Sequence, residues 1–186
     1  METLSVGVFC SARDNIDKEL LSTGYELGRA LAINEYKVVT GCSTNGVMGM
    51  VARGVSDYDG YNIGVYPREL EHLERPYPYC DEFYVEEKLI DRQAKLIDLS
   101  DVFVVCPGGL GTMYELFEVL TKMATGVIPE SDVILLNVGG FYDELISLLI
   151  KLDEENTITM PPYLYIARNI DDVMCILNDE LDPIEV

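Results

Sequence analysis

The chain has 186 residues, 48% of them hydrophobic, which is enough apolar material for one sizeable core and suits one domain over 1–186. Its 33 acidic residues against 13 basic ones give a formal net charge of -20, which opposes binding to DNA, RNA or an anionic membrane, since such footprints need clustered Lys and Arg. A small phosphorylated ligand would have its charge met locally, by backbone N–H groups and a few arginines, against an unfavourable overall field.

The N-terminal METLSVGVFC has neither the basic flank nor the apolar length of a signal peptide, and no apolar run reaches the roughly 18 residues of a membrane span, so a soluble cytoplasmic protein is expected. SVGVFC (5–10) reads as a first strand, followed by a helix over about 16–33 and a second strand YKVVT (36–40). A helix over about 45–56 leads to the strand YNIGVY (61–66). The stretch 67–81, with three prolines and mixed charge, reads as a surface excursion able to wall or cover a site. Then come a helix over about 87–100, the strand DVFVVC (101–106), a helix over about 112–125, the strand DVILLN (132–137), a helix over about 141–153, the strand YLYIA (163–167) and a helix over 170–178. This alternation predicts an α/β fold with a doubly wound, mostly parallel sheet flanked by helices, because runs such as VFVVC suit strands buried on both faces. The closing NDELDPIEV reads as an acidic, solvated tail.

Cys10, Cys42, Cys80, Cys106 and Cys175 are scattered and never spaced C-x-x-C, and His72 is the only histidine. Neither a zinc site nor a disulfide framework is expected; each cysteine reads as a small buried hydrophobe in a reducing compartment.

Ligands of open parallel sheets bind beyond the carboxyl ends of strands. Three turns fall there: Ser11-Ala12-Arg13-Asp14-Asn15, the segment Gly41 to Gly49 with Asn45, Gly46 and Met48, and Pro107-Gly108-Gly109-Leu110-Gly111-Thr112. Arg13 and Asn45 could reach a ligand, or Asn45 could cap a helix. In the third turn, glycines remove the Cβ atoms that would hold a phosphate away from the backbone, and Thr112 adds a hydroxyl where a helix begins. It is neither a G-x-G-x-x-G nor a G-K-[ST] phosphate loop. Thr112-x-x-Glu115 also has the spacing of a capping box, in which the two side chains would satisfy each other's backbone N–H groups. Both readings stand at this level.

PGGLGTMYELFEVL resembles the PGGxGTxxE signature of the LOG (lonely guy) family, cytokinin riboside 5'-monophosphate phosphoribohydrolases often labelled lysine decarboxylases. VFCSAR, GCSTNGVMG, GVYPREL, DRQAKLIDLSDVFVVCPGG and LLNVGGFYDELISLL resemble further family segments in register, over roughly 5–160. The resemblance implies a single Rossmann-like domain and a homodimer that hydrolyses the N-glycosidic bond of a nucleoside 5'-monophosphate to free base and ribose 5-phosphate, with no cofactor and no metal. It places the catalytic arginine on Arg92 and the catalytic glutamate on Glu115. Phosphate and ribose contacts fall on Gly108, Gly109, Gly111 and Thr112, and further substrate contacts on Glu74, Thr121 and the Gly41–Gly49 turn.

The chemistry suits these residue types. A fixed carboxylate at Glu115 can stabilise an oxocarbenium-like ribose or orient water, and Arg92 can fork onto phosphate or ribose oxygens. By local pattern alone, Arg92 lies beside an i, i+4 Asp91/Lys95 pair on a solvated helix face. Glu118, one turn past Glu115, either shares its site as a substrate contact or is an exposed polar residue. The chain departs from the family pattern at Ile90, Gln93, Tyr114 and Lys122 to Ile128. Loss of a cation at Gln93 should weaken phosphate anchoring, and Tyr114 could stack on a base or ribose. The alternative is a non-catalytic nucleotide carrier or sensor on the same fold. A pyridoxal-phosphate enzyme is disfavoured, since none of the six lysines has the context of a Schiff base.

Overall fold

The computed structural model describes residues 3–178. In chain order these form β1 (Ser5–Phe9), α1 (Lys18–Ile33), β2 (Lys37–Thr40), α2 (Gly46–Asp57), β3 (Tyr61–Pro67), β4 (Glu82–Glu86), α3 (Leu89–Asp98), β5 (Val102–Val105), α4 (Leu110–Ala124), β6 (Val133–Leu136), α5 (Asp143–Glu154), β7 (Leu164–Ala167) and α6 (Ile170–Leu177), with single 3-10 turns at Arg68–Leu70 and Val138–Gly140. The strands make one sheet in the order β4-β3-β2-β1-β5-β6-β7, every adjacent pair parallel. No helix among the described residues is long and apolar enough to cross a membrane.

Strand periodicity divides the core in two. Val6, Val8, Val104, Ile134 and Leu136 face one side, where Leu27 and Leu31 of α1, Val51 and Val55 of α2 and Val173 of α6 cover them. Phe9, Phe103, Val105, Val133 and Leu135 face the other, beneath Leu96 of α3, Leu116, Val119 and Met123 of α4 and Leu149 of α5. Side chains alternate across a strand, so a continuous apolar run is needed wherever helices cover both faces.

β4 lies within a stretch with no expected strand. It is an edge strand, EFYVE, whose Phe83 and Val85 are exposed while Tyr84 packs inward and donates a 2.5 Å hydrogen bond to Glu82. The charges at its alternate positions hide the period and also blunt the sheet edge. The expected tail at 178–186 lies, but for Asn178, outside the described residues.

The chain winds outward in both directions from β1, whose neighbours are β2 and β5. At that switch point the turns after β1 and β5 lie side by side, joined by a 2.8 Å bond from the Cys106 N–H to the Phe9 carbonyl. The start of α2 is tied to the first turn as well: Met48 N–H donates to the Ser11 carbonyl at 3.1 Å, and Gly46 N–H to Asp14 Oδ1 at 3.0 Å. Gly46 has φ 61, and a Cβ there would press on the Ser11 and Arg13 backbone, so only glycine fits.

Candidate active site

Beyond these strand ends lies a cleft of about 790 Å3, within the size range of small-molecule sites. Ser11, Ala12 and Arg13 form one wall and Pro107 to Thr112 another; Leu70, Leu73 and Glu74 close a third side from the excursion after β3. Among the described residues, Arg13 and Arg92 are the only basic ones lining it. In so acidic a chain, these two arginines carry the local positive charge that an anionic ligand would meet.

Arg92 and Glu115 stand at its base. Arg92 Nη1 donates to Glu115 Oε1 at 2.6 Å, with the residues 6% and 5% exposed. Burial raises the Glu115 carboxyl above the ordinary range; Arg92 opposes the rise, and Glu118 and Glu74 add to it. The solvated-face reading of Arg92 is therefore overturned. On α3, Arg92 and Gln93 sit one turn before Leu96 and Ile97 and continue that buried stripe, while Lys95 lies over the Tyr84 ring at 4.7 Å.

Gln93 is fully buried, and its Oε1 lies 3.4 Å from Arg92 Nη1. The Arg92 Nε, Gln93 Nε2 and Glu74 Oε2 atoms are buried without a hydrogen-bond partner. Arg92 and Glu74 line the cleft, so a ligand there can pair with Arg92 Nε and Glu74 Oε2.

The glycine turn leads straight into α4. Gly109 is its N-cap, with no side-chain capping bond. Thr112 therefore lies inside the first turn, and Glu115 reaches across to Arg92 rather than back to Thr112, so of the two readings the capping box does not form. The helix starts two residues before the expected boundary because the Gly109 carbonyl already accepts from Met113 N–H at 3.0 Å. Its first amide groups are left without an intrahelical acceptor, at the positive end of the helix dipole. A Cβ on Gly109 or Gly111 would meet nothing within 4 Å, whereas one on Gly108 would collide with Thr112 Oγ1. Gly108→Ala is expected to lower stability by about 1–3 kcal/mol, read as a fall in the urea midpoint; an unchanged midpoint would show that the turn yields freely.

The other expected site residues divide. Ser11, Arg13, Met48, Glu74, Gly108, Gly109, Gly111 and Thr112 line the cleft with Arg92 and Glu115. Tyr114, Glu118, Thr121, Asn45 and Gly46 are outside its lining. Tyr114 and Thr121 are exposed on α4, and Glu118 is half-buried in a 2.7 Å pair with Lys122. Asn45 borders a smaller polar cleft of about 360 Å3, which shares Leu73 and Glu74 with the main one. Sequence reasoning missed Leu70, Leu73, Leu89 and Phe141 as lining residues. Leu70 and Leu73 fall in the stretch with no readable period, so nothing local marked them.

The sequence profile of the family described as "Possible lysine decarboxylase" matches residues 48–178. The chain belongs to that family, the LOG family. It is 34% identical over 152 residues to a cytokinin riboside 5'-monophosphate phosphoribohydrolase of Arabidopsis thaliana, covering 82% of this chain and 70% of that one. A protein of the same name from Mycobacterium marinum is 30% identical over 172 residues, 91% of each chain. Among solved structures, the molybdenum cofactor binding protein of Rippkaea orientalis superposes with a TM-score of 0.74 at 24% identity, covering 96% of this chain and 98% of that one, a likeness of fold. Among the described residues, none of the lysines lines the LOG-family cleft of this chain.

Proposed function

We propose that this LOG-family protein hydrolyses the N-glycosidic bond of a nucleoside 5'-monophosphate, water supplying the hydroxyl at the anomeric carbon and a proton to the departing base. The observation that carries this reading is the buried Arg92–Glu115 pair at 2.6 Å, set beneath the glycine turn that opens α4. The 5'-phosphate is received by the first amide groups of α4 with Arg13, and this remote binding holds the ribose over Glu115. Charge developing on the sugar ring is then met by a fixed carboxylate in a largely water-excluded position. Leu70, Leu73 and Leu89 on the wall offer burial to an apolar substituent, which favours a prenylated adenine over adenine itself.

The test is incubation with a panel of nucleoside 5'-monophosphates that includes AMP and isopentenyl-AMP, with chromatographic separation of products. Free base and ribose 5-phosphate are expected. Saturable binding with no base released would overturn the reading in favour of a nucleotide carrier or sensor.

The reading includes a homodimer. Leu110, Tyr114 and Phe117 form an exposed stripe on α4 at helical spacing, 90%, 44% and 38% exposed, beside the cleft. Sedimentation at micromolar concentration is expected to give twice the chain mass, and the monomer mass would refute the dimer.

A further inference from the structure

Cys42 and Cys80 depart from the expectation of isolated buried hydrophobes. Their sulfurs lie 3.7 Å apart, although the residues are separated by 38 positions. Cys42 follows β2 and is fully buried; Cys80 precedes β4 and is partly exposed, so solvent reaches the pair through Cys80. Gly64 of β3 floors the niche, where a Cβ would stand 2.5 Å from Cys42 Sγ and 2.7 Å from Cys80 Sγ. Cys42 has φ 60, a left-handed conformation uncommon for a residue with a side chain and kept only where surrounding structure imposes it. That surrounding is a backbone clamp: Thr44 N–H donates to the Arg75 carbonyl at 3.0 Å, Tyr77 N–H to the Cys42 carbonyl at 3.1 Å, and Ser43 pairs with Pro76.

We propose that Cys42 and Cys80 are a redox site, oxidised to an intramolecular disulfide by a low-molecular-weight disulfide of the glutathione class. The Cys80 thiolate, its proton lost to solvent, attacks one sulfur of the reagent and expels the first small thiolate. The Cys42 thiolate then attacks Cys80 Sγ in the mixed disulfide and expels the second. The protein loses two electrons and two protons, and the reagent takes them up as two thiols. Bond formation brings the sulfurs from 3.7 Å to about 2.05 Å, a short approach across a niche that has no side chain beneath it. The shared hydrogen bond lowers the Cys42 thiol's pKa against its burial and, with burial, raises that of Cys80, so the first attack falls to the small thiolate fraction at the position solvent reaches, and Cys42 is the thiolate poised to close the bond. Cys10 and Cys106 are different: both are fully buried, and burial pushes both thiols up, Cys106 to about 12.

The bond would tie the β2–α2 turn to the excursion that carries Leu70, Leu73 and Glu74, the third wall of the main cleft. The inference does not depend on the proposed reaction. To test it, the full chain is equilibrated with mixtures of oxidised and reduced glutathione, and its thiols are counted after denaturation and located by peptide mapping. The five free thiols are expected to fall to three, with the Cys42 and Cys80 peptides joined. Tm should rise by several degrees, and a dithiol reductant should reverse both changes. Cys80→Ser, at the partly exposed position, should fold and lose no thiol pair. A glutathione adduct left on Cys80 would overturn the proposal. So would a bond between other cysteines, or five thiols surviving in mixtures that oxidise a short dithiol peptide.

Discussion

Glu115→Gln is expected to lower kcat for nucleotide hydrolysis by about 100- to 10,000-fold, the range seen when a charge-stabilising or proton-transferring group is lost. The side chains are nearly isosteric, and a glutamine oxygen can still accept the bond that Arg92 Nη1 donates at 2.6 Å. Substrate binding should therefore persist while turnover disappears, so the loss falls on kcat with KM little changed. The wild-type pH profile adds an independent check. Burial raises the Glu115 carboxyl despite Arg92, and chemistry that requires the ionised form weakens as pH falls through that raised value. The acid limb of kcat/KM should thus lie above the ordinary carboxylate range of about 4.3. A mutant within tenfold of wild type would remove Glu115 from the chemistry.

Legibility of this fold followed the physics of burial. Strands covered on both faces, such as VFVV in β5, needed continuous apolar runs, and those runs stood out in the sequence. β4 did not, because at this sheet edge Glu82 and Glu86 share the half-buried face with Tyr84 while Phe83 and Val85 face solvent, the reverse of the usual apolar-in alternation. At the site, the glycine turn was visible locally, whereas the burial of Arg92 was not: Asp91 and Lys95 surround it with the look of a solvated helix face. The missed signal was helical spacing, since Arg92 and Gln93 precede Leu96 and Ile97 by four residues. Contacts between distant segments had no local signature at all. Cys42 meets Cys80, and Leu70 reaches the cleft, only after the excursion following β3 folds back on the β2–α2 turn.

Removing the cation is the second large perturbation, and its sign depends on pH. In Arg92→Leu, Glu115 would remain buried with no charge to oppose desolvation, and Glu118 and Glu74 would still push its pKa upward. The folded-state pKa, already above the unfolded value, rises further. A group raised in this way leaves folding undisturbed below its unfolded pKa and weakens the fold as pH climbs through the folded pKa. The variant should therefore lose stability mainly on the alkaline side. An uncompensated buried charge costs about 3–5 kcal/mol, a ceiling at pH 8, because protonation of Glu115 offers a cheaper escape. At pH 5 the deficit should be smaller than at pH 8, because less of the raised Glu115 carboxyl has to ionise there and leucine still packs against the stripe of Leu96 and Ile97. Urea unfolding of both proteins at the two pH values measures the difference directly. An equal deficit at both would mean that Arg92 contributes packing rather than charge; a deficit larger at the higher pH would identify the 2.6 Å pair as the reason this carboxylate can stay ionised where it is buried.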